Sequence, residues 1–256
     1  MIHPTAIIGD EVILAEGVEV GPYAVLEGPL EVGEGTRIEA HAVIRGPTRI
    51  GRDNHIYQFA SIGDAPQDKK YAGEPTELVI GDGNTIREYV TINRGTVQDA
   101  GVTRIGNDNW IMAYVHIAHD CQVGDHTIFA NNASLAGHVH VDDHAILGGF
   151  TLVHQFCSIG AHAFTAFGSA IAKDVPPFVM VGGHPARPHG LNTEGLRRRG
   201  FSEESIRRLK QAYRILYRQG LSYEEALARL KEMAGESDEV RRFVDFLESR
   251  RRGIVR

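Results

Sequence analysis

The chain is 256 residues long and carries 33 acidic against 27 basic side chains, a net charge of −6 at neutral pH, which argues against nonspecific nucleic-acid binding. No apolar run approaches membrane-spanning length, and the N-terminus enters patterned sequence directly, so neither a membrane span nor a secretory leader is expected. Two isolated cysteines, Cys121 and Cys157, fit a reduced, cytoplasmic protein.

From Ile8 to Ile62 an isoleucine, leucine or valine recurs every sixth residue: Ile8, Leu14, Val20, Leu26, Val32, Ile38, Ile44, Ile50, Ile56, Ile62. The pattern resumes at Ile80, Ile86 and Ile92, slips by one residue, and runs from Ile105 to Ile171, with Phe129 as its aromatic member and Thr165 as its polar exception. Such a period matches neither an amphipathic helix nor a plain strand. It is a repeat signature. With glycine often following the aliphatic residue (Ile8-Gly9, Ile50-Gly51, Ile62-Gly63, Ile80-Gly81), the hexads describe a parallel β-helix with three hexads to a coil. Residues eighteen apart then lie one above another at roughly 4.8 Å. Cys121 and Cys157 fall two coils apart, about 10 Å, too far for a disulfide.

Two segments interrupt the repeat. Asp64 to Glu77 is polar and separates Ile62 from Ile80 by eighteen residues, which predicts an outward loop replacing part of a coil. Gly95 to Val102 breaks the phase, because Ile92 and Ile105 are thirteen apart. Loops on a rigid scaffold are where function collects; a tolerated surface insertion is the plain alternative.

After Ile171 the texture changes. Pro176-Pro177 and the run GGHPARPHG end the solenoid. Ser202 is placed to cap a helix with Ile206, Leu209, Tyr213, Leu216 and Tyr217 on one face and Gly220 at its end. Ser222 with Glu225 reads as a capping box for a second helix closed by Gly235, and Ser237 starts a third bearing Val240, Phe243, Val244 and Leu247. The expected organisation is mainly β, a parallel β-helix over 1–190, followed by a small α-helical C-terminal domain over 191–256 that covers the open end of the coil.

The chemistry concentrates around the run VHIAHDC at 115–121. His116 and His119 are three apart, which would suggest metal ligands on a helix but not on a β-helix strand. Register is more informative: eighteen after His119 comes Gly137, and eighteen after that Gln155. An imidazole beside an approachable backbone N–H is the minimal kit for acyl transfer, a base to take a proton and an amide to hold an oxyanion. Asp120 is placed to orient His119. A merely solvated outward histidine is the alternative. His126, His144 and His162 are also eighteen apart, but a ladder spanning about 10 Å does not converge on an ion bound at about 2.1 Å, so a solvated or hydrogen-bonded column is expected there.

The segments IGRDNHIYQFASIG (50–63), KYAGEPTELVIGDGNTIREYVTINRGT (70–96), HIAHDCQVG (116–124), ANNASLAGHVHVDD (130–143), VHQFCSIGAHAF (153–164), DVPPF (174–178) and NTEGLRRRGFS (192–202) closely resemble the acyl-ACP–UDP-N-acetylglucosamine O-acyltransferase family of lipid A synthesis. The resemblance implies a left-handed coil, against the usual crossover rule, and a homotrimer with active sites between subunits. It implies transfer of an R-3-hydroxyacyl chain from acyl carrier protein to the 3-hydroxyl of UDP-N-acetylglucosamine, with no metal or organic cofactor. By the same resemblance His119 is the general base and Gly137 supplies the oxyanion N–H. His116, His138, His154 and Gln155 are substrate contacts, as are Gln67, Asp68, Lys70 and Tyr71 in the first loop and Asn192, Glu194, Arg198 and Arg199 near the tail. Phe167 aligns with a glycine that long-chain relatives carry at the end of the acyl groove, implying a shorter chain here. Arg197, Arg198, Arg199, Arg207, Arg208 and Lys210 offer a basic landing surface for the acidic carrier protein, or else a solvated helix face. The 3-amino sugar as acceptor, a γ-carbonic-anhydrase-like zinc enzyme and a noncatalytic scaffold are the competing readings.

Overall fold

A computed structural model describes residues 1–235, 237–249 and 252–256. Among them, short parallel strands stack into three sheets of nine, eight and ten strands, the three walls of a left-handed parallel β-helix. The first face runs from Ile7–Ile8 to Ala170–Ile171, the second from Val12–Leu14 to Ser158–Ile159. The third begins at Glu19–Val20 and continues through Phe164–Thr165 to Val179–Gly182 and Arg187–Leu191. Register follows the hexads: Ile8 pairs with Leu26, Val32 with Ile50 and Ile117 with Leu135. The aliphatic residue of each hexad points inward, and from Val20 to Ile171 these positions are buried in one continuous core. Thr165 is fully buried too; its hydroxyl meets the Thr151 hydroxyl at 2.8 Å, which satisfies the polar group inside the core.

Each face turns into the next three residues after an inward side chain. Among the described residues, sixteen non-glycine residues there hold φ between 53° and 67°, including Tyr23, Asp53, Asp120, Asn132, His138 and His162. Asn, Asp and His tolerate that left-handed conformation better than most residues. The first edge (between first and second faces) carries Asp120, His138 and Phe156; the second carries His126, His144 and His162; the third carries Tyr23, His41, Phe59, Tyr89, Tyr114 and Phe150.

The interruptions differ from expectation in one respect. Ile50 pairs with Ile80 and Ile62 with Ile92, thirty residues apart rather than eighteen. The first loop is therefore an addition at the first edge, not a replacement for part of a coil: both neighbouring hexads keep their places in the wall, and a whole number of hexads is added between them. Ile80 likewise pairs with Ile105, so the second loop is a further addition at the same edge. Gly95 is the pinch of that loop, since a side chain there would collide with the backbone of Gly101 and Val102.

The open end is closed by main-chain pairing as well as by helices. Val179–Gly182 and Arg187–Leu191 form an antiparallel hairpin on the third face, and Ile254 bridges to Asp174 beyond the second face, so terminal strands find partners. Helix α1 (Thr193–Arg198), which the sequence reading did not foresee, is capped by Asn192. Helix α2 (Glu203–Tyr217) starts from the Ser202 cap and ends at Arg218, short of Gly220. Helix α3 (Tyr223–Ala234) has both halves of its capping box. In α4 (Asp238–Ser249), Val240, Phe243, Val244, Phe246 and Leu247 are buried. Among the described residues no helix is long and apolar enough to cross a membrane.

Candidate active site

Both added loops leave the solenoid at the first edge, and the next corners of that edge hold the candidate residues. His119, Gly137 and Gln155 occupy the same place in successive coils, as the spacing predicts: the His138 N–H donates to the His119 carbonyl at 3.0 Å and the Phe156 N–H to the Gly137 carbonyl at 3.2 Å. The His119 ring lies across Gly137, where a Cβ would stand 2.5 Å from Cε1 and 2.7 Å from Nε2. The Gly137 N–H has no hydrogen-bond partner among the described residues.

The imidazole is held from behind. His119 Nδ1 is 2.8 Å from Asp120 Oδ2. Asp120 is 2 % exposed, and it accepts from the Thr96 N–H at 2.8 Å and the Thr96 hydroxyl at 2.6 Å. Its own N–H donates to the Thr103 hydroxyl at 2.8 Å. Burial alone raises this carboxyl, but the hydrogen bonds from His119 and Thr96 outweigh it and hold the group below the usual carboxylate range. An ionised Asp120 places the His119 proton on Nδ1, leaving Nε2 as the acceptor. Nε2 has no partner among the described residues. His138 stands beside the pair: its ring meets His119 edge to face at 5.0 Å and stacks on Phe156 at 4.4 Å. Burial, then the neighbouring His119, pushes the His116 imidazole down, and His116 Nδ1 meets the Thr91 hydroxyl at 2.7 Å.

Metal chemistry has a weak footing in this geometry. Ligand atoms of His119, Asp120 and His138 lie within 4.8 Å of one another, yet Asp120 Oδ2 is already engaged by His119 and Thr96. The histidine ladder on the second edge stacks face to face, His126 on His144 at 4.9 Å and His144 on His162 at 4.7 Å, and continues onto Phe178. Parallel rings do not aim their nitrogens at one point.

The remaining sequence candidates are spread around the prism. In the first loop, Asp68 folds its own turn by accepting from the Lys70 N–H and, through its carbonyl, the Tyr71 N–H, both at 3.0 Å. Gln67 and Lys70 are exposed. Tyr71 is tied to the solenoid by Arg94, which donates to its hydroxyl at 3.2 Å and to the Gly46 carbonyl at 3.0 Å. His154 and Gln155 are exposed on the first edge. The tail set lies elsewhere. Asn192 donates to the His162 carbonyl at 3.1 Å, and Arg199 donates to His144 Nδ1 at 2.6 Å, which puts them on the second edge with exposed Glu194 and Arg198. Phe167 is 85 % exposed at the third edge. The basic surface is partly spent, as Arg197 pairs with Glu194 and Glu203, and Arg208 with Glu204. Arg198, Arg207 and Lys210 are exposed.

Thr96, Asp99, Thr103 and Arg94 were not singled out by sequence reading. Two of them, Thr96 and Asp99, lie within the short loop whose phase slip was itself the signal. A cavity of about 830 Å³ lies away from this chemistry, between the second face and α4, lined by Arg104, Gln122, His140, Arg242 and Asp245 among others.

Comparison with known proteins identifies the family. Residues 174–255 match the family described as UDP-N-acetylglucosamine O-acyltransferase, domain 2, and residues 103–137 match the bacterial transferase hexapeptide repeat. The chain is 66% identical over 255 residues to the acyl-[acyl-carrier-protein]–UDP-N-acetylglucosamine O-acyltransferase of Thiobacillus denitrificans, covering 100% of this chain and 99% of the relative. The enzyme of that name from Herminiimonas arsenicoxydans is 62% identical over 260 residues, covering 100% and 99%. Among solved structures, the UDP-N-acetylglucosamine acyltransferase of Francisella novicida superposes with a TM-score of 0.98 at 46% identity, covering 100% of this chain and 94% of that one. That of Moraxella catarrhalis gives 0.97 at 48% identity, covering 100% and 99%. With a buried carboxylate, an oriented imidazole and a glycine beneath it on a hexapeptide solenoid, and with relatives matching from end to end, the chain belongs to the acyl-[acyl-carrier-protein]–UDP-N-acetylglucosamine O-acyltransferase family.

Proposed function

We propose that the protein transfers a 3-hydroxyacyl group from acyl carrier protein to the 3-hydroxyl of UDP-N-acetylglucosamine, the opening acylation of lipid A synthesis. The observation that carries this reading is the His119–Asp120 pair set across Gly137. His119 Nε2 takes the proton of the sugar hydroxyl as its oxygen attacks the thioester carbonyl carbon. The resulting oxyanion accepts from the Gly137 N–H. The carbon–sulfur bond then breaks, and the carrier thiolate leaves with the proton held on His119. Each part is chemically sufficient, a positioned base contributing about 10²–10⁴ in rate and an oxyanion donor about 10²–10³. The thioester is already activated, so the scheme uses no cofactor. Relatives named as O-acyltransferases favour the hydroxyl over the amine as acceptor.

The active unit in this reading is a homotrimer. The third edge exposes a stacked column, Tyr23, His41, Phe59, Tyr89 and Tyr114, at 4.9–5.3 Å spacing. Beside it the first face turns Ile7, Val25, Val43 and Leu152 outward, and the third face Trp110, Ile128, Ile146 and Phe164. The second face turns mainly polar side chains outward, Glu31, Arg49, Arg104, Gln122 and His140, with Ile13 and Val79 among them. Exposed apolar surface on two adjoining walls marks an interface, and a threefold ring with the third edges at its axis covers both. That ring sets the first edge of one copy against the second edge of the next, so His119 would face the Asn192, Glu194, Arg198 and Arg199 set of its neighbour. The carrier protein would approach the exposed Arg198, Arg207 and Lys210. Both cysteines are buried and unpaired, which suits a reducing cytoplasm.

The test is acyl transfer by purified protein from 3-hydroxyacyl carrier proteins of ten, twelve and fourteen carbons to UDP-N-acetylglucosamine. Product that disappears in a folded His119→Ala variant supports the reading. No product with any donor would overturn it and direct attention to the amino-sugar acceptor.

A further inference from the structure

We propose that Asp99 is a positioning residue: it sets which nitrogen of His138 faces the reaction and keeps His138 off the carboxylate that serves His119. The proposal rests on the acyl-transfer reading of this site and assigns a task to the second loop within it.

The loop grips the site at two points one turn apart. Thr96 donates twice to Asp120. The Asp99 N–H then donates to the Thr96 carbonyl at 3.3 Å, and Asp99 Oδ2 comes 2.9 Å from His138 Nδ1. His138 keeps only 10% of its side chain exposed, against 42% for Asp99. Packing determines the plane of the His138 ring, flat on Phe156 at 11° between planes and at 88° to His119. It does not determine which way round the ring sits, because a flipped imidazole has nearly the same shape. A hydrogen bond decides that. With Asp99 accepting from Nδ1, Nε2 is the nitrogen left without a partner among the described residues.

The alternative partner is close. Asp120 Oδ2 lies 3.8 Å from the same His138 nitrogen, and that oxygen is the one His119 uses at 2.8 Å. Without Asp99, the second imidazole has one remaining carboxylate to turn to among the described residues, Asp120, and it would compete with the base for its orienting group. Asp99 separates the two duties: one carboxylate per imidazole.

The experiment compares the full chain with Asp99→Ala and Asp99→Asn, reading kcat/KM for acyl transfer, thermal midpoint, and the ring ¹⁵N shifts of histidine-labelled protein, with His138→Gln for assignment. Loss of a charge-assisted hydrogen bond to a buried ring predicts a drop of about tenfold or more in kcat/KM for Asp99→Ala. The thermal midpoint should hold, since Asp99 lies on an outer loop, and the nitrogen pattern of His138 should change. Asp99→Asn, which still offers an accepting oxygen, should retain more activity. Wild-type kcat/KM in Asp99→Ala would overturn the proposal, and so would lost activity with an unchanged His138 pattern. An inactive wild type would instead overturn the acyl-transfer reading, while the nitrogen shifts would still report whether Asp99 orients His138.

Discussion

The His119 ring occupies the space that a side chain on Gly137 would fill, with Nε2 2.7 Å from that missing Cβ. One coil of register therefore decides the placement of the base relative to the amide below it. Gly137→Ala should displace the ring by a fraction of its width. A misplacement of about 1 Å costs on the order of 10² in rate. Steady-state kinetics should show that loss with the thermal midpoint held within a few degrees; full activity would remove the Gly137 contact from the mechanism.

Asp120 carries His119 and is itself carried by Thr96 and Thr103. Asp120→Asn keeps the shape but offers an amide where two donors require an acceptor. Turnover should fall by about 10² or more, approaching the effect of His119→Ala. Thr96→Val, which loses one of the two donors, should fall less. Ordering of the three variants by kcat checks the chain of contacts.

The second-edge ladder makes stability depend on acid. His162 is pushed down to about 3, first by burial and then by His144, Arg199 and Arg242. Its Nδ1 has no partner among the described residues. A histidine whose folded value lies below its ordinary 6.5 leaves stability intact above that ordinary value. Between 6.5 and about 3 the unfolded chain binds a proton that the folded chain refuses, so stability falls with pH by up to about 1.4 kcal/mol per unit. Denaturant titrations at pH 7 and pH 5 should show this loss, and His162→Phe, which extends the stack on Phe178, should reduce it. An unchanged pH slope in the variant would clear His162 of the role.

Leu152 on the first face is 53 % exposed and Trp110 on the third 44 %. If the trimer buries both walls, Leu152→Asp or Trp110→Asp should shift the sedimenting mass from three times the 28.1 kDa chain toward one, with activity lost in parallel. Equal masses for wild type and both variants would place the interface elsewhere.

Phe167 projects from the third edge with 85 % of its surface open, so any acyl groove it closes needs a wall from a second copy. Phe167→Gly should move donor preference from about ten carbons toward fourteen. Each buried methylene contributes roughly 0.8 kcal/mol, so four restored methylenes would shift the ratio of rates by orders of magnitude. Equal use of ten- and fourteen-carbon donors by wild type would sink this reading of Phe167.

The walls of the solenoid were legible because a hexad is a local rule repeated by translation. Ile44, Ile62 and Ile92 meet in one column whatever the loops between them do, since each coil needs an apolar side chain at that place. The same translation made His119 over Gly137 readable from a spacing of eighteen, and the caps at Ser202 and Ser222 readable from their neighbours. Long-range closure left no such trace. Nothing periodic tells that Thr96 folds back onto Asp120, that Asp99 reaches His138 thirty-nine residues away, or that Ile254 pairs with Asp174. The separation of Asn192 and Arg199 from His119 onto different edges depended on where the hairpin and α1 docked against His144 and His162. A repeat propagates by nearest-neighbour contact and is written in the sequence. The partner that a loop or a tail meets is decided only when the chain has closed in space.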